Sequence, residues 1–215
     1  MSESDRISKN AENEKLFSRE FEVILSTEKT GYPSFIGGLK VASGLDYQLS
    51  SPIDETIIFG KFQRPEKGTA AYAVQVAKKA FDGWSSLKPS ERVDIFKNIL
   101  EKVKAKKFRL AACITISTGM VMEDCLEESD RLIGIIEDAC AKAEQTEPLG
   151  VWGIISEHNS PLAFPAGAAV YAMLAGNTVV ALPAMDCPMP MFMFSEILDA
   201  AGLPGGVFNI LTSDS

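Results

Sequence analysis

The one histidine, His158, is followed directly by Asn159, and this pair is the first place where the sequence could do chemistry. An imidazole titrates near neutral pH and can move a proton. An amide side chain on a rigid strand end can donate an N–H to an oxygen that gains negative charge, with little reorganisation. Each residue also has a plainer reading: His158 as a loop histidine, and Asn159 as the cap of a helix beginning near Pro161. One histidine cannot build a metal cluster, and Cys113, Cys125, Cys140 and Cys187 form no C-x-x-C pair. Cys187 lies at a helix start, where the dipole could lower its pKa, but burial is the commoner fate of such a thiol. Asn177, after Gly176, reads as a turn residue that tolerates positive φ. Met173, Met185, Met189, Met191 and Met193 read as adaptable core packing or a soft interface. No GxGxxG, P-loop, HExxH or GxSxG occurs, so any nucleotide site is unconventional.

The elements that must position these residues follow from periodicity. Short extended pieces are expected between Ser34 and Phe62, as hairpins or an arm spanning residues 31–66. Residues 67–147 read as helical. Ala70, Val74, Ala77, Phe81 and Trp84 mark one amphipathic helix, and a second begins near Pro89 with Val93, Phe96, Leu100 and Val103 inward. A third follows Gly119, with Leu126, Ile133, Ile136 and Cys140 inside and Asp124, Glu127, Glu128 and Asp130 mostly in solvent. After Pro148 the period changes. Val151–Ile155, Thr178–Leu182 and Val207–Leu211 read as strands, separated by helices over 161–175 and 188–201. Residues 148–215 are therefore a βαβαβ unit, and right-handed crossovers make it half of a doubly wound parallel sheet of α/β class. Ligands sit at the strands' C-terminal ends in such sheets, which is where His158 falls.

Composition sets the outer limits. Hydrophobic residues at 46% and charged residues at 23% exclude bulk disorder, and 215 residues suffice for one large or two small domains. A net charge of −8 argues against nucleic acid or an anionic membrane as partner. No Lys or Arg follows Lys142, so the chain has a charged first part and an apolar, Gly- and Pro-punctuated second part. Residues 1–30 mix charges of both signs without a signal-like apolar run and are expected to be a flexible segment. Unpaired cysteines and no membrane-length apolar run point to a reduced, cytoplasmic setting.

The order of several short segments resembles the N-terminal half of the aldehyde dehydrogenase superfamily. Ser51-Pro52, Gly60-Lys61, the run from Ala77 to Trp84, and Glu91-Arg92 match its opening, and Gly119 and Glu128 fall where a Gly-Lys and a Glu are usual. More specific are Pro148-Leu149-Gly150-Val151, His158-Asn159-Ser160-Pro161-Leu162, Ala175-Gly176-Asn177-Thr178-Val179-Val180, Ala201-Gly202-Leu203-Pro204 and Gly206-Val207-Phe208-Asn209. The resemblance implies an NAD- or NADP-linked oxidation in which a cysteine thiolate attacks an aldehyde and hydride leaves to the nicotinamide. It makes Asn159 the oxyanion-stabilising residue and places Ile155, Ser156, His158, Leu182 and Met185 along the coenzyme. It puts the nucleophilic cysteine and the general base beyond Ser215. Leu182 and Met185 replace a Lys and a Glu that hold the adenosine ribose, His158 replaces a tryptophan, and Met120 a lysine. Coenzyme binding is therefore expected to be weak or absent, and the protein to be non-catalytic alone, whether as half of an enzyme or as an assembly or regulatory relative. An open sheet edge calls for a partner: a second copy, an aldehyde dehydrogenase paralogue, or the remaining half.

Overall fold

In this computed structural model, residues 3–26, 31–42 and 46–212 are described, excepting the side chains of residues 3–9. Where the sequence reading has a flexible segment, residues 3–26 form helix α1 (Glu3–Ser26), which buries Ile24. Its mixed charge pattern hid a helix that is held by tertiary packing. The arm contains β1 (Gly31–Tyr32), β2 (Ser34–Ile36), β3 (Leu39–Val41), β4 (Asp46–Ser51) and β5 (Asp54–Gln63). Strands β1, β5 and β4 make one sheet, with β5 in the middle.

Apolar spacings of three and four produce helix α2 (Thr69–Ser85), which buries Ala73, Ala77 and Trp84. Helix α3 (Pro89–Ala105) starts on proline, whose missing N–H costs nothing in a first turn, while Glu91 accepts the Lys88 N–H at 2.7 Å. Phe96 and Val103 are buried there as expected, and Val93 and Leu100 are half-buried. Helix α4 (Lys107–Thr118) was not legible in the sequence, because every residue from Leu110 to Ser117 is buried and no polar face marks it. Gly119, at φ 74°, ends it. Helix α5 (Met122–Ala141) lies against α4 and buries Leu126 and Ile136. Glu128, expected in solvent, is buried on α5, and Ile133 and Cys140 are half-buried.

The βαβαβ unit is present as β6 (Val151–Ile155), α6 (Ala163–Leu174), β7 (Thr178–Leu182), α7 (Met189–Ala200) and β8 (Phe208–Ile210). Strands β6, β7 and β8 pair in parallel. The β2–β3 hairpin adds antiparallel to β8, giving a five-stranded sheet in the order β3-β2-β8-β7-β6. One face packs on α2: the Thr178 hydroxyl donates to the Ala77 carbonyl, and Val180 and Leu182 pack with Ala73, Val76, Ile36 and Leu211. Val179 and Ala181 point the other way, into the main core with α6 and α7.

Two buried asparagines hold this sheet together. Asn177 Oδ1 accepts the N–H groups of Leu149 and Gly150 while its Nδ2 donates to the Ala172 carbonyl, tying the entry of β6 to the end of α6. Asn177, read as a turn residue that tolerates positive φ, does not adopt one; that conformation belongs to Gly176, at 91°. Asn209 Oδ1 accepts the Gly37 N–H, and its Nδ2 donates to the carbonyls of Val179 and Gly206.

Candidate functional site

Strand β6 delivers Ser156, His158, Asn159 and Ser160 at its C-terminal end. Register partners in a parallel ladder point to the same side, so Ile155 and its partner Leu182 share the α2 face at that end. Ile155 is 76% exposed, whereas Leu182 is half-buried in the cluster with Ala73 and Leu211. Ser156 is buried: its N–H donates to the Leu182 carbonyl and its hydroxyl oxygen accepts the Ala184 N–H, holding the loop after β7 against β6. Met185, in that loop, is 46% exposed. The structure thus brings Ile155, Ser156, Leu182 and Met185 to one end of two neighbouring strands.

Asn159 is exposed, and the capping role open to it on sequence grounds is filled by other groups. Helix α6 begins with the Ala163 N–H donating to the Glu128 carboxylate at 3.0 Å and the Phe164 N–H donating to the Ser160 hydroxyl oxygen at 3.2 Å. Ser160 in turn donates to Glu128, which also takes Arg131 Nη1 at 3.2 Å. A buried carboxylate at a helix N-terminus is stabilised by the free N–H groups and by the dipole. The sequence does not show this role of Glu128, because Ser160 and Ala163 lie more than thirty residues further along the chain. The arrangement fixes the residue after Asn159 and leaves the Asn159 amide available to donate outward.

His158 lies 3.9 Å from Asp186 through Nδ1, with both side chains 65% exposed. They line a cleft of about 550 Å³ with Ser51, Pro52, Thr118 and Cys187. Cys187 is buried, and desolvation followed by Asp186 pushes its thiol up to about 12, so the helix dipole does not activate it. Among the described residues no group of histidine, cysteine and acidic side chains has the arrangement of a metal site, and no helix is long and apolar enough to cross a membrane.

A model of the aldehyde dehydrogenase family matches residues 41–215. The 1-pyrroline-5-carboxylate dehydrogenase of Geobacillus sp. (strain WCH70) is 28% identical over 93% of this chain and 42% of its own length. The enzyme of the same name from Bacillus subtilis (strain 168) is also 28% identical, over 95% of this chain and 43% of its own. The chain therefore spans about two fifths of the length of these curated relatives. Among solved structures, the Thermus 1-pyrroline-5-carboxylate dehydrogenase with bound NAD superposes with a TM-score of 0.88 at 24% identity, over 93% of this chain and 42% of that one. Aldehyde dehydrogenase C of Pseudomonas syringae, complexed with NAD+ and octanal, gives 0.78 at 26% identity, over 84% and 40%.

Proposed function

The chain belongs to the aldehyde dehydrogenase family, and from that premise we propose that it is the half of a family coenzyme domain that supplies the oxyanion-binding amide, Asn159, and does not oxidise an aldehyde by itself. The state of the thiols carries this reading. The family reaction needs a cysteine thiolate. Burial raises the pKa of Cys113, Cys125, Cys140 and Cys187, taking Cys125 to about 11 and Cys187 to about 12, so all four stay protonated at neutral pH. None of the four is therefore proposed as the nucleophile. Asn159 keeps a role that needs no ionisation: its Nδ2–H donates to a carbonyl oxygen as that oxygen gains charge, on a backbone held by Ser160 and Glu128.

A nicotinamide dinucleotide, when bound, supplies the hydride acceptor. The residues present do not fit a tightly held one. Leu182 is engaged in apolar packing and Met185 is open, so neither offers a partner to a ribose hydroxyl. The acids Glu157 and Asp186 flank this end of the sheet, and no Lys or Arg follows Lys142 to offset a pyrophosphate's charge. Two unmade bonds at roughly 1–3 kcal/mol each weaken NAD or NADP by a factor of roughly thirty to twenty thousand. Calorimetric titration with NAD+ and NADP+ at millimolar concentration is expected to give no saturable heat; saturation would overturn the weak-coenzyme reading. Leu182→Lys with Met185→Glu should bring binding into range, since a lysine stem can keep the apolar contacts while its ammonium reaches solvent.

The packing of Leu182 favours a second reading, in which the protein is a non-catalytic member that assembles with or regulates an active paralogue. Either role fits a cytoplasmic protein with reduced thiols and needs a partner, whether a second copy, a paralogue or the remaining half. The named relatives make 1-pyrroline-5-carboxylate oxidation the first activity to try on a reconstituted enzyme. Activity that appears on mixing with the remaining half of such a relative, and is lost with Asn159→Ala, separates the first reading from the second.

A further inference from the structure

The chain passes from one sheet to the other at Pro33. Tyr32, in β1, pairs with Phe62 of β5 in the three-stranded sheet, whereas Phe35, in β2, pairs with Ile210 of β8 in the five-stranded one. Ile36 packs in the cluster on the α2 face, so alternation turns its neighbour Phe35 to the other face, where α7 lies. Along α7, Ser195, Glu196 and Asp199 follow Phe192 at helical spacings and form one stripe. An open cleft of about 110 Å³ remains between this stripe and Tyr32, Pro33, Phe35 and Lys40. Ile155 and Leu182 lie on the opposite face of the sheet, towards its β6 side, so the cleft is separate from the candidate coenzyme residues.

The walls are aromatic and fixed in place. The rings of Tyr32 and Phe192 lie 5.6 Å apart between centroids, and both pack on the buried Phe62, at 5.1 and 6.1 Å. Among the described residues the Tyr32 hydroxyl makes no hydrogen bond. Burial first, then Cys113 and Glu196, raises its pKa against the pull of Arg109, so the phenol stays neutral.

The rim is negative. Glu196 and Asp199 are exposed near the C-terminus of α7, where the unpaired carbonyls already make the potential negative, and no basic side chain in the last turn offsets them. Among the described residues neither acid is in an ion pair, and Arg109 is turned to Glu20 at 3.7 Å. Lys40, across the cleft, leaves one negative charge in excess. Acids at this end of a helix, beside aromatic faces, call for a cation; an anion is repelled, and a neutral apolar molecule leaves the acids unanswered. A cavity of roughly 150 Å³ holds benzene, so this one has room for about four carbons.

We infer that the cleft between α7 and the Tyr32–Phe35 turn binds a small primary alkylammonium ion, with a stem of about four carbons against Tyr32, Phe35 and Phe192 and the ammonium held by Glu196 and Asp199.

The test adds n-butylammonium chloride to the complete chain and follows the proton NMR spectrum of the butyl group. Aromatic walls should move its methylene signals upfield saturably, which charge attraction at an open surface does not do. Binding should be at least about fivefold tighter than that of n-butanol, measured in the same way. Glu196→Gln with Asp199→Asn, both at exposed positions, should weaken it by about fivefold or more. Glu123→Gln with Asp124→Asn, which removes an exposed acidic pair in the first turn of α5, should leave it unchanged. Lys40→Gln removes the opposing charge and should tighten binding by about twofold. No saturable upfield shift, equal affinity for butanol, or binding undiminished by the α7 double variant overturns the proposal. So does an equal loss with the α5 pair, which would make the attraction diffuse. Norvaline, which carries a carboxylate beside its ammonium, should bind more weakly than butylammonium; if it binds more tightly and Lys40→Gln weakens it, the occupant is an amino acid and the alkylammonium assignment falls.

Discussion

At one side of the five-stranded sheet the β2–β3 hairpin lies along β8; at the other, β6 has no further neighbour among the described residues. The closed side is held by polar groups that reach across the chain. Asn209 takes the Gly37 N–H and gives its amide hydrogens to Val179 and Gly206, and Ser34 and Thr212 bond through their hydroxyls. The open side has apolar side chains on both faces and acids at both ends. Polar groups with fixed geometry specify one arrangement within a chain, and a missing partner there costs stability. Apolar surface with charged ends is permissive until something covers it, so changes there should alter association more than folding.

The sharpest way to break this contrast is Asn209→Ala. It strands the Gly37 N–H and two carbonyls in a buried setting, and at roughly 1–3 kcal/mol for an unsatisfied group, partly relieved by relaxation, the loss should be about 2–4 kcal/mol. Urea unfolding followed by circular dichroism measures it. If Asn209→Ala shifts the midpoint no more than a β6 surface variant does, the hairpin is not held as described. A smaller effect sharpens the same comparison with one substitution at two glycines. At Gly205, a Cβ would come within 2.7 Å of the Gly37 carbonyl oxygen, and both sides of that contact are backbone. Gly205→Ala should therefore cost about 1–3 kcal/mol. Gly153→Ala, on the open side, should be neutral or stabilise by up to about 1 kcal/mol, since the added methyl meets nothing and the unfolded chain loses freedom. Equal costs at the two glycines would erase the difference between the edges.

The same contrast explains what could be read from the sequence. Helices α2 and α3 and the β6-α6-β7-α7-β8 order follow from local spacing, because each element declares its own buried face. Helix α4 does not, because it is buried all round and carries no stripe. Arg92 and Glu128 were hidden for a related reason: a charged residue reads as solvated until its partners are known. Arg92 is buried with its Nε donating to the Leu174 carbonyl and Nη1 to the Leu87 carbonyl, and Glu128 holds Ser160 and Ala163. Asn177 and Asn209 follow the same rule, since their roles depend on backbone groups brought near by the fold. At the candidate site, the grouping of Ile155, Ser156, Leu182 and Met185 followed from the βαβ topology and the family resemblance. That Asn159 is not used as a cap followed only from seeing Glu128 and Ser160 take that place.

The smallest expected effect is on folding itself, at the centre of the open side. Trp152 is 42% exposed and its nearest ladder partner, Val179, is already buried, so Trp152→Thr removes mostly surface that water still reaches. Unfolding free energy should change by less than about 1 kcal/mol, and threonine keeps a side chain suited to a strand. Association should respond more than stability does: with the largest ring on the α6 face of the edge gone, concentration-dependent light scattering of the chain alone should fall. A loss of several kcal/mol on Trp152→Thr would mean that the indole is part of the core. The β6 side would then be as firmly specified as the hairpin side, and the two edges would differ only in what lies next to them.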